Sequence, residues 1–228
     1  MRGLLACLAV AGIVTSAHAA ISINEIRIDM PSTDVNEYFE LAGNPGESLA
    51  GLTYFVIGDG TGGSGVVERP LALSGAIPGD GYWLGAGDAD TFGAAPDQNF
   101  AVAQDMFENS DNVTHVLAMN FTGTVGQDLD TNDDGVLDIT PWDAIVDWVS
   151  LSENVPLEDK VYAPTVVGPD GTFAPGHVYR FPNGTGSYSI GQFDPVGGAD
   201  TPGVANVPEP ASLALLVMGG MMALRRRR

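Results

Sequence analysis

The run Asp130-Thr131-Asn132-Asp133-Asp134-Gly135-Val136-Leu137-Asp138 places oxygen donors at loop positions one, three, five and nine and glycine at six. Ca2+ is a hard cation that collects roughly six to eight oxygens. Alternate side chains in such a loop converge on it while the glycine makes the sharp turn and the seventh residue offers its carbonyl. The candidate ligands are therefore Asp130, Asn132, Asp134, the Val136 carbonyl and Asp138, for a structural Ca2+ of modest affinity. Position twelve is Pro141, which carries no carboxylate, so Asp128, Asp143 or Asp147 would have to substitute. The helices that flank the loop of an EF-hand have no counterpart in the pattern, and the same residues also read as a solvated acidic turn.

Other chemistry is thinly supported. Asp143 and Asp147 would align on a helix for acid and base work, but on a strand they stand about 13 Å apart, and they read as surface acids or spare Ca2+ ligands. His115 and His177 have no partner at metal-ligand spacing and read as polar strand residues. Gly58-Asp59-Gly60-Thr61-Gly62-Gly63 fits a dinucleotide fingerprint in letters only. No helical period follows it and Pro70 comes soon after, so it reads as a hairpin loop. Trp83, Trp142 and Trp148 could line a sugar-binding face or pack in a core. No catalytic residue is assigned, and the chain is expected to be non-enzymatic.

The elements that must position the loop are short and numerous. Ile21 to Ile28 alternates, slips one position between Ile23 and Ile26, and alternates again, which predicts a bulged strand. Further strands are expected over 37–41, 52–57, 66–73, 81–84, 98–103, 114–119, 144–151, 161–167, 177–181 and 187–190, with Gly, Pro, Asn and Asp between them. Asn183-Gly184 suits the turn joining the last two. Over 138–145 a capping residue and Pro141 at a first-turn position predict a single helical turn that leads into a strand. The expected class is all-β, a sandwich with long loops.

The two ends read as addresses. Residues 1–20 carry a positive start, an apolar stretch and small residues, the pattern of a secretory signal peptide cut after Ala19 or Ala20 by signal peptidase. Cys7 lies inside that segment, so the mature chain is expected to have neither thiol nor disulfide. Residues 207–228 contain Pro208-Glu209-Pro210, an apolar stretch expected to form a single short transmembrane helix, and Arg225, Arg226, Arg227 and Arg228, whose charge would hold that end in the cytoplasm. This order resembles the PEP-CTERM sorting signal of exopolysaccharide-producing Gram-negative bacteria. The resemblance implies transient anchoring in the inner membrane, recognition of Pro208-Glu209-Pro210 by an exosortase, and release or transfer to the cell surface or extracellular matrix. Between 21 and 207 stand Arg27, Arg69, Lys160 and Arg180 against 28 carboxylates, a formal charge of −24. So acidic a body repels nucleic acid and favours divalent counter-ions.

Ile23-Asn24-Glu25-Ile26, Asn36-Glu37-Tyr38-Phe39-Glu40-Leu41, Leu49-Ala50-Gly51-Leu52-Thr53-Tyr54 and Asp200-Thr201-Pro202-Gly203-Val204-Ala205-Asn206 fall in the order seen in bacterial lamin-tail domains. The resemblance implies an immunoglobulin-like β-sandwich over 21–206 that serves as an accessory or structural module, with 87–140 as insertion. The Asn24-Glu25 pair of the first strand and the Glu of the second strand are expected to offer polar groups that tie strand ends together, and Pro202-Gly203 to end the last strand. The functional expectation is an exported, non-enzymatic surface or exopolysaccharide-matrix module stabilised by Ca2+. A carbohydrate-binding module is the alternative, and a hydrolase with an acidic site the third reading.

Overall fold

The computed structural model describes residues 21–60, 63–153, 160–195 and 200–207. The signal-peptide segment with Ala19 and Ala20, and the sorting segment with Pro208, Glu209, Pro210 and Arg225 to Arg228, lie outside the described residues. Among the described residues eleven strands form in chain order: β1 Ser22–Arg27, β2 Tyr38–Ala42, β3 Leu52–Gly60, β4 Gly63–Ala72, β5 Tyr82–Ala86, β6 Gln98–Asn99, β7 Val113–Met119, β8 Ala144–Leu151, β9 Val166–Val167, β10 His177–Phe181 and β11 Ser187–Ile190. They make one sheet ordered β11-β10-β1-β2-β5-β6 and another ordered β4-β3-β7-β8-β9. Both sheets are mixed, because β6 joins β5 and β9 joins β8 in parallel while the other pairs are antiparallel. No helix occurs among the described residues.

The alternation of the sequence decides which side chains meet between the sheets. Ile23, Ile26, Phe39, Leu41, Trp83 and Val178 from the first sheet pack against Leu52, Tyr54, Val56, Val113, Leu117 and Val149 from the second. Phe39 and Tyr54 stack across the interface with ring centroids 3.8 Å apart, a pairing that adds about 1 kcal/mol to the area it buries. A bidentate ion pair from Arg180 on β10 to Asp147 on β8, at 2.8 and 3.1 Å, joins the sheets at the side of this core. The Arg180 guanidinium also lies over the Tyr188 ring, 4.3 Å from its centroid.

Each expected strand coincides with an observed one, and the expected bulge is present as a register shift between Ile23 and Glu25 where β1 pairs with β2. Two strands stop short. After Asn99 the chain leaves the ladder because the Asn99 side chain accepts the Ala101 amide and Ala101 takes a left-handed φ of 57°. Ahead of Val166, the amides of Tyr162 and Ala163 bond to the hydroxyls of Thr114 and Ser150 instead of to a strand. The glycine-rich stretch is a hairpin tip, with Gly60 opposite Gly63. Pro70 sits on β4, an edge strand where a missing amide is tolerated.

Three expectations need correction. The helical turn over 138–145 is absent. The amides of Asp138 and Ile139 both donate to the Leu129 carbonyl and that of Asp143 to the Met119 carbonyl, so they are unavailable for a helix. Residues 87–140 are not insertion, because they contain β7, the middle strand of the second sheet. Pro202-Gly203 ends no strand: 200–206 crosses the first sheet as a strap.

Candidate functional site

The acidic loop owes its place to the outer face of the second sheet. Phe55, Ile57, Val67, Val116 and Ala118 point outward there, and the connection from β7 to β8 folds back over them. Leu129 and Leu137 bracket the acidic run and both enter this outer cluster with Phe121 and Trp142, so the loop is held at two ends by apolar contact. Within it Asp130 is fully buried and accepts the amides of Asp134 at 3.2 Å and Gly135 at 2.8 Å, together with the Tyr162 hydroxyl at 2.8 Å. Asn132 accepts the Asp134 amide, Asp134 accepts the Val136 amide, and Asp138 accepts the amide and hydroxyl of Thr131. Gly135 has a φ of 86°, the left-handed turn its position in the motif anticipates.

The loop thus has a wound backbone with a buried carboxylate at its centre, while Asn132, Asp134, Val136 and Asp138 lie at its exposed rim. Among the three acids named to replace the missing twelfth ligand, Asp147 is committed to Arg180 and to the Ile23 amide, and Asp143 to the Asn120 side chain. Asp128 adjoins the loop and caps the Asp130 amide at 3.0 Å. The donor set is all oxygen, which suits Ca2+, and completing a coordination sphere requires Asp134 and Asp138 to turn from their amide partners toward Asp130.

A second polar assembly covers the outer face of the first sheet. Asn24, Glu25, Arg27, Tyr38, Glu40 and His177 are all buried there. Glu25 Oε1 receives the Tyr38 hydroxyl at 2.5 Å, faces His177 Nε2 at 2.7 Å and accepts the Thr201 amide at 3.0 Å, while Oε2 accepts the Thr201 hydroxyl at 2.7 Å. Arg27 forms a bidentate pair with Asp200 and spends its remaining donors on the carbonyls of Asp29, Gln192 and Phe193. Glu40 accepts the Gly203 amide at 2.7 Å, and burial beside Glu25 pushes its carboxyl well above the usual range. Asn206 donates to the carbonyls of Asn24 and Arg180.

Glu25, His177 and Asp200 are the one trio of His, Cys, Asp and Glu among the described residues whose ligand atoms lie within 4.8 Å of one another. Of the trio, Asp200 is paired with the Arg27 guanidinium, and the Glu25 oxygens already accept bonds from Tyr38 and Thr201, so in this structure the trio fastens the 200–206 segment to the sheet. Sequence reasoning singled out Asn24, Glu25 and a glutamate of the second strand as strand ties, placed His177 only as a polar strand residue, and missed Arg27 and Tyr38. An arginine and a histidine among outward-facing positions of strongly apolar strands were the available signal.

The remaining candidates are placed as follows. Trp83 is in the core and Trp142 and Trp148 are half-buried in the outer cluster, so the three tryptophans form no exposed strip for a sugar. Asp143 and Asp147 do not converge, because the first is exposed and the second lies in the inter-sheet ion pair. His115 is buried with Nδ1 2.8 Å from the Tyr54 hydroxyl. Sequence reasoning also missed a groove of about 490 Å3 lined by Glu68, Arg69, Met106, Phe107 and Glu108. Burial, with Glu108 and Asp59 nearby, pushes Glu68 up to about 7. Arg69 donates to the carbonyls of Met106 and Asp105.

Titration of the interior has a readable sign. Burial raises the Glu37 carboxyl, which accepts the amides of Met106 and Phe107, to about 8. Its contribution to stability is complete below pH 4.5 and is lost as pH rises toward 8. Burial lowers His115 to about 3, so its contribution is complete above pH 6.5 and is lost as pH falls toward 3. With Glu68 acting in the same direction as Glu37, the melting temperature is expected to be higher at pH 5 than at pH 8 by roughly 4–8 °C and to fall again below about pH 4.5. A His115→Gln variant should flatten the acid limb alone. A melting temperature that rises steadily from pH 5 to 8 would contradict this assignment.

No protein-family model, curated protein or solved structure matches the chain.

Proposed function

We propose that the chain is an exported, non-enzymatic module of the cell surface or exopolysaccharide matrix, an immunoglobulin-like sandwich of the lamin-tail kind. Ca2+ on the Asp130 loop stabilises it, and an exosortase-type enzyme in the inner membrane removes its tail. The observation that carries the reading is that the residues best suited to chemistry are spent on the fold. Glu25, Glu40, Arg27 and His177 bind one another and the 200–206 strap, and Asp147 binds Arg180. The lamin-tail comparison gains support because its first two motifs and its last, more than 160 positions further along the chain, meet in that one network. The Ca2+ assignment draws support from the buried Asp130 and the left-handed Gly135 at the positions where the loop pattern requires them.

Processing is tested by the mass of the chain recovered outside cells that carry an exosortase. The expected product begins near residue 21 and ends between 207 and 210, and Glu209→Ala with Pro210→Ala keeps the full tail attached in the inner membrane. Recovery of wild-type protein only in that membrane, with Arg225 to Arg228 present, would overturn the sorting half of the proposal.

A further inference from the structure

The strap over 200–206 has no strand partner, yet it is bound at several points, with Val204 and Ala205 exposed between them. Asp200 holds Arg27, the amide and hydroxyl of Thr201 reach Glu25, the Gly203 amide reaches Glu40, and the Val204 amide turns back to the Thr201 carbonyl. Asn206 closes it. Its side chain donates to the carbonyls of Asn24 and Arg180 and accepts the Thr201 hydroxyl, while its amide donates to the Asn183 side chain. Asn206 is 2% exposed and the next residue, Val207, is 63% exposed, so the bound backbone ends sharply between them. One residue then separates Asn206 from Pro208.

We infer that 200–206 is a clasp that withholds the residues preceding Pro208 from any enzyme that must bind them as an extended strand. Such an enzyme needs several free residues on the N-terminal side of its cut. For a cut after Val207 the seated clasp offers one, so cleavage there proceeds through local release of the clasp and its rate follows the released fraction. The inference deepens the processing proposal by making the state of the fold regulate access to the motif. The clasp itself is defined by bonds that do not depend on the identity of the processing enzyme.

The test uses pancreatic elastase as the probe, which cuts after small aliphatic residues, on the full chain in mild detergent, with products read by mass. In the wild type, cleavage after Val204 and Ala205 is expected to be slow although Val204 is 55% exposed. Asn206→Asp keeps the shape but replaces two donated bonds with repulsion against the Asn24 and Arg180 carbonyls. It should speed those cuts roughly ten- to thirtyfold. Thr201→Ala is a milder variant should Asn206→Asp fail to fold, and unchanged near-ultraviolet circular dichroism certifies that the sandwich is intact in whichever is used. A Gly-Ser-Gly-Ser insertion after Val207 should leave the cuts after Val204 and Ala205 as slow as in the wild type. In exporting cells it should raise the rate of tail removal. Wild type cut after Ala205 as fast as the weakened variant overturns the clasp, and so does an insertion that leaves the rate of tail removal unchanged in cells that do remove the wild-type tail. A tail that no cell removes, combined with elastase protection that the variants abolish, overturns the exosortase reading and leaves the clasp standing.

Discussion

Millimolar Ca2+ raises the melting temperature of residues 21–207 by roughly 5–10 °C over the same protein in chelator, and Asp134→Ala abolishes the rise. A ligand that binds only the folded state adds about 2.7 kcal/mol at a hundredfold excess over its dissociation constant, and a domain of this size gains about 2–4 °C per kcal/mol. Asp134 is the informative position because it lies at the exposed rim and its side chain accepts only the Val136 amide and a weak contact from Asn132 at 3.3 Å. Removing it costs the apo fold little while deleting a ligand. Asp130 behaves differently. Its carboxylate holds two loop amides and the Tyr162 hydroxyl, so Asp130→Ala lowers the melting temperature with chelator present as well. Gly63 and Gly65 at the start of β4 make the loop sensitive from the other side: a Cβ on Gly63 would lie 2.3 Å from Asp133 Oδ1 and one on Gly65 2.7 Å from Asp130 Cβ. If wild type and Asp134→Ala melt at the same temperature with Ca2+ and with chelator, the loop is a solvated acidic turn and the metal leaves the proposal.

The sandwich was legible because its signals are local. Alternation located the strands, and the slip between Ile23 and Ile26 located a bulge, since each strand needs only its own side chains to show which face is buried. The lengths of β6 and β9 were not legible, because the bonds that end them come from Asn99 within the loop and from Thr114 and Ser150 on other strands. The helical turn at Pro141 failed for the same reason. Its local capping pattern is real, but Leu129 and Met119 supply better acceptors through contacts that sequence spacing does not encode. Of the candidate site, the loop could be read from spacing alone, whereas the network on the first sheet could be read only in part. Asn24, Glu25 and Glu40 stand out as polar residues in apolar strands. Their partners Thr201, Gly203 and Asn206 lie some 160–180 residues away, and nothing in a single sequence links His177 to Glu25. Burial of so many polar groups is affordable only when nearly all are paired, which is why the strap and the strands make sense together and not separately.

Arg27→Met is expected to be the most damaging single change, costing about 3–5 kcal/mol and lowering the melting temperature by roughly 10 °C or more. Arg27 is fully buried, and all its donors are taken by Asp200 and three backbone carbonyls, with the Phe92 ring 5.8 Å from its guanidinium carbon. Methionine keeps the aliphatic packing and removes the one arginine charge facing Asp200 and its neighbour Glu25. Those two carboxylates are then buried close together, sharing the Tyr38 hydroxyl, with three orphaned carbonyls beside them. The cost is therefore mainly that of the groups left behind, not the net strength of the ion pair, and this distinction can be measured. Arg27→Met combined with Asp200→Leu removes both charges and should recover a substantial part of the loss, as apolar replacement of a buried pair often does. The clasp separates the two effects further. Both the single and the double variant lose the Arg27–Asp200 link and should expose Val204 and Ala205 to elastase, yet the single variant leaves two buried carboxylates, Asp200 and Glu25, without the arginine and the double variant only Glu25. A double variant as unstable as Arg27→Met would mean that the link itself, and not the uncompensated charge, holds the strap to the sheet.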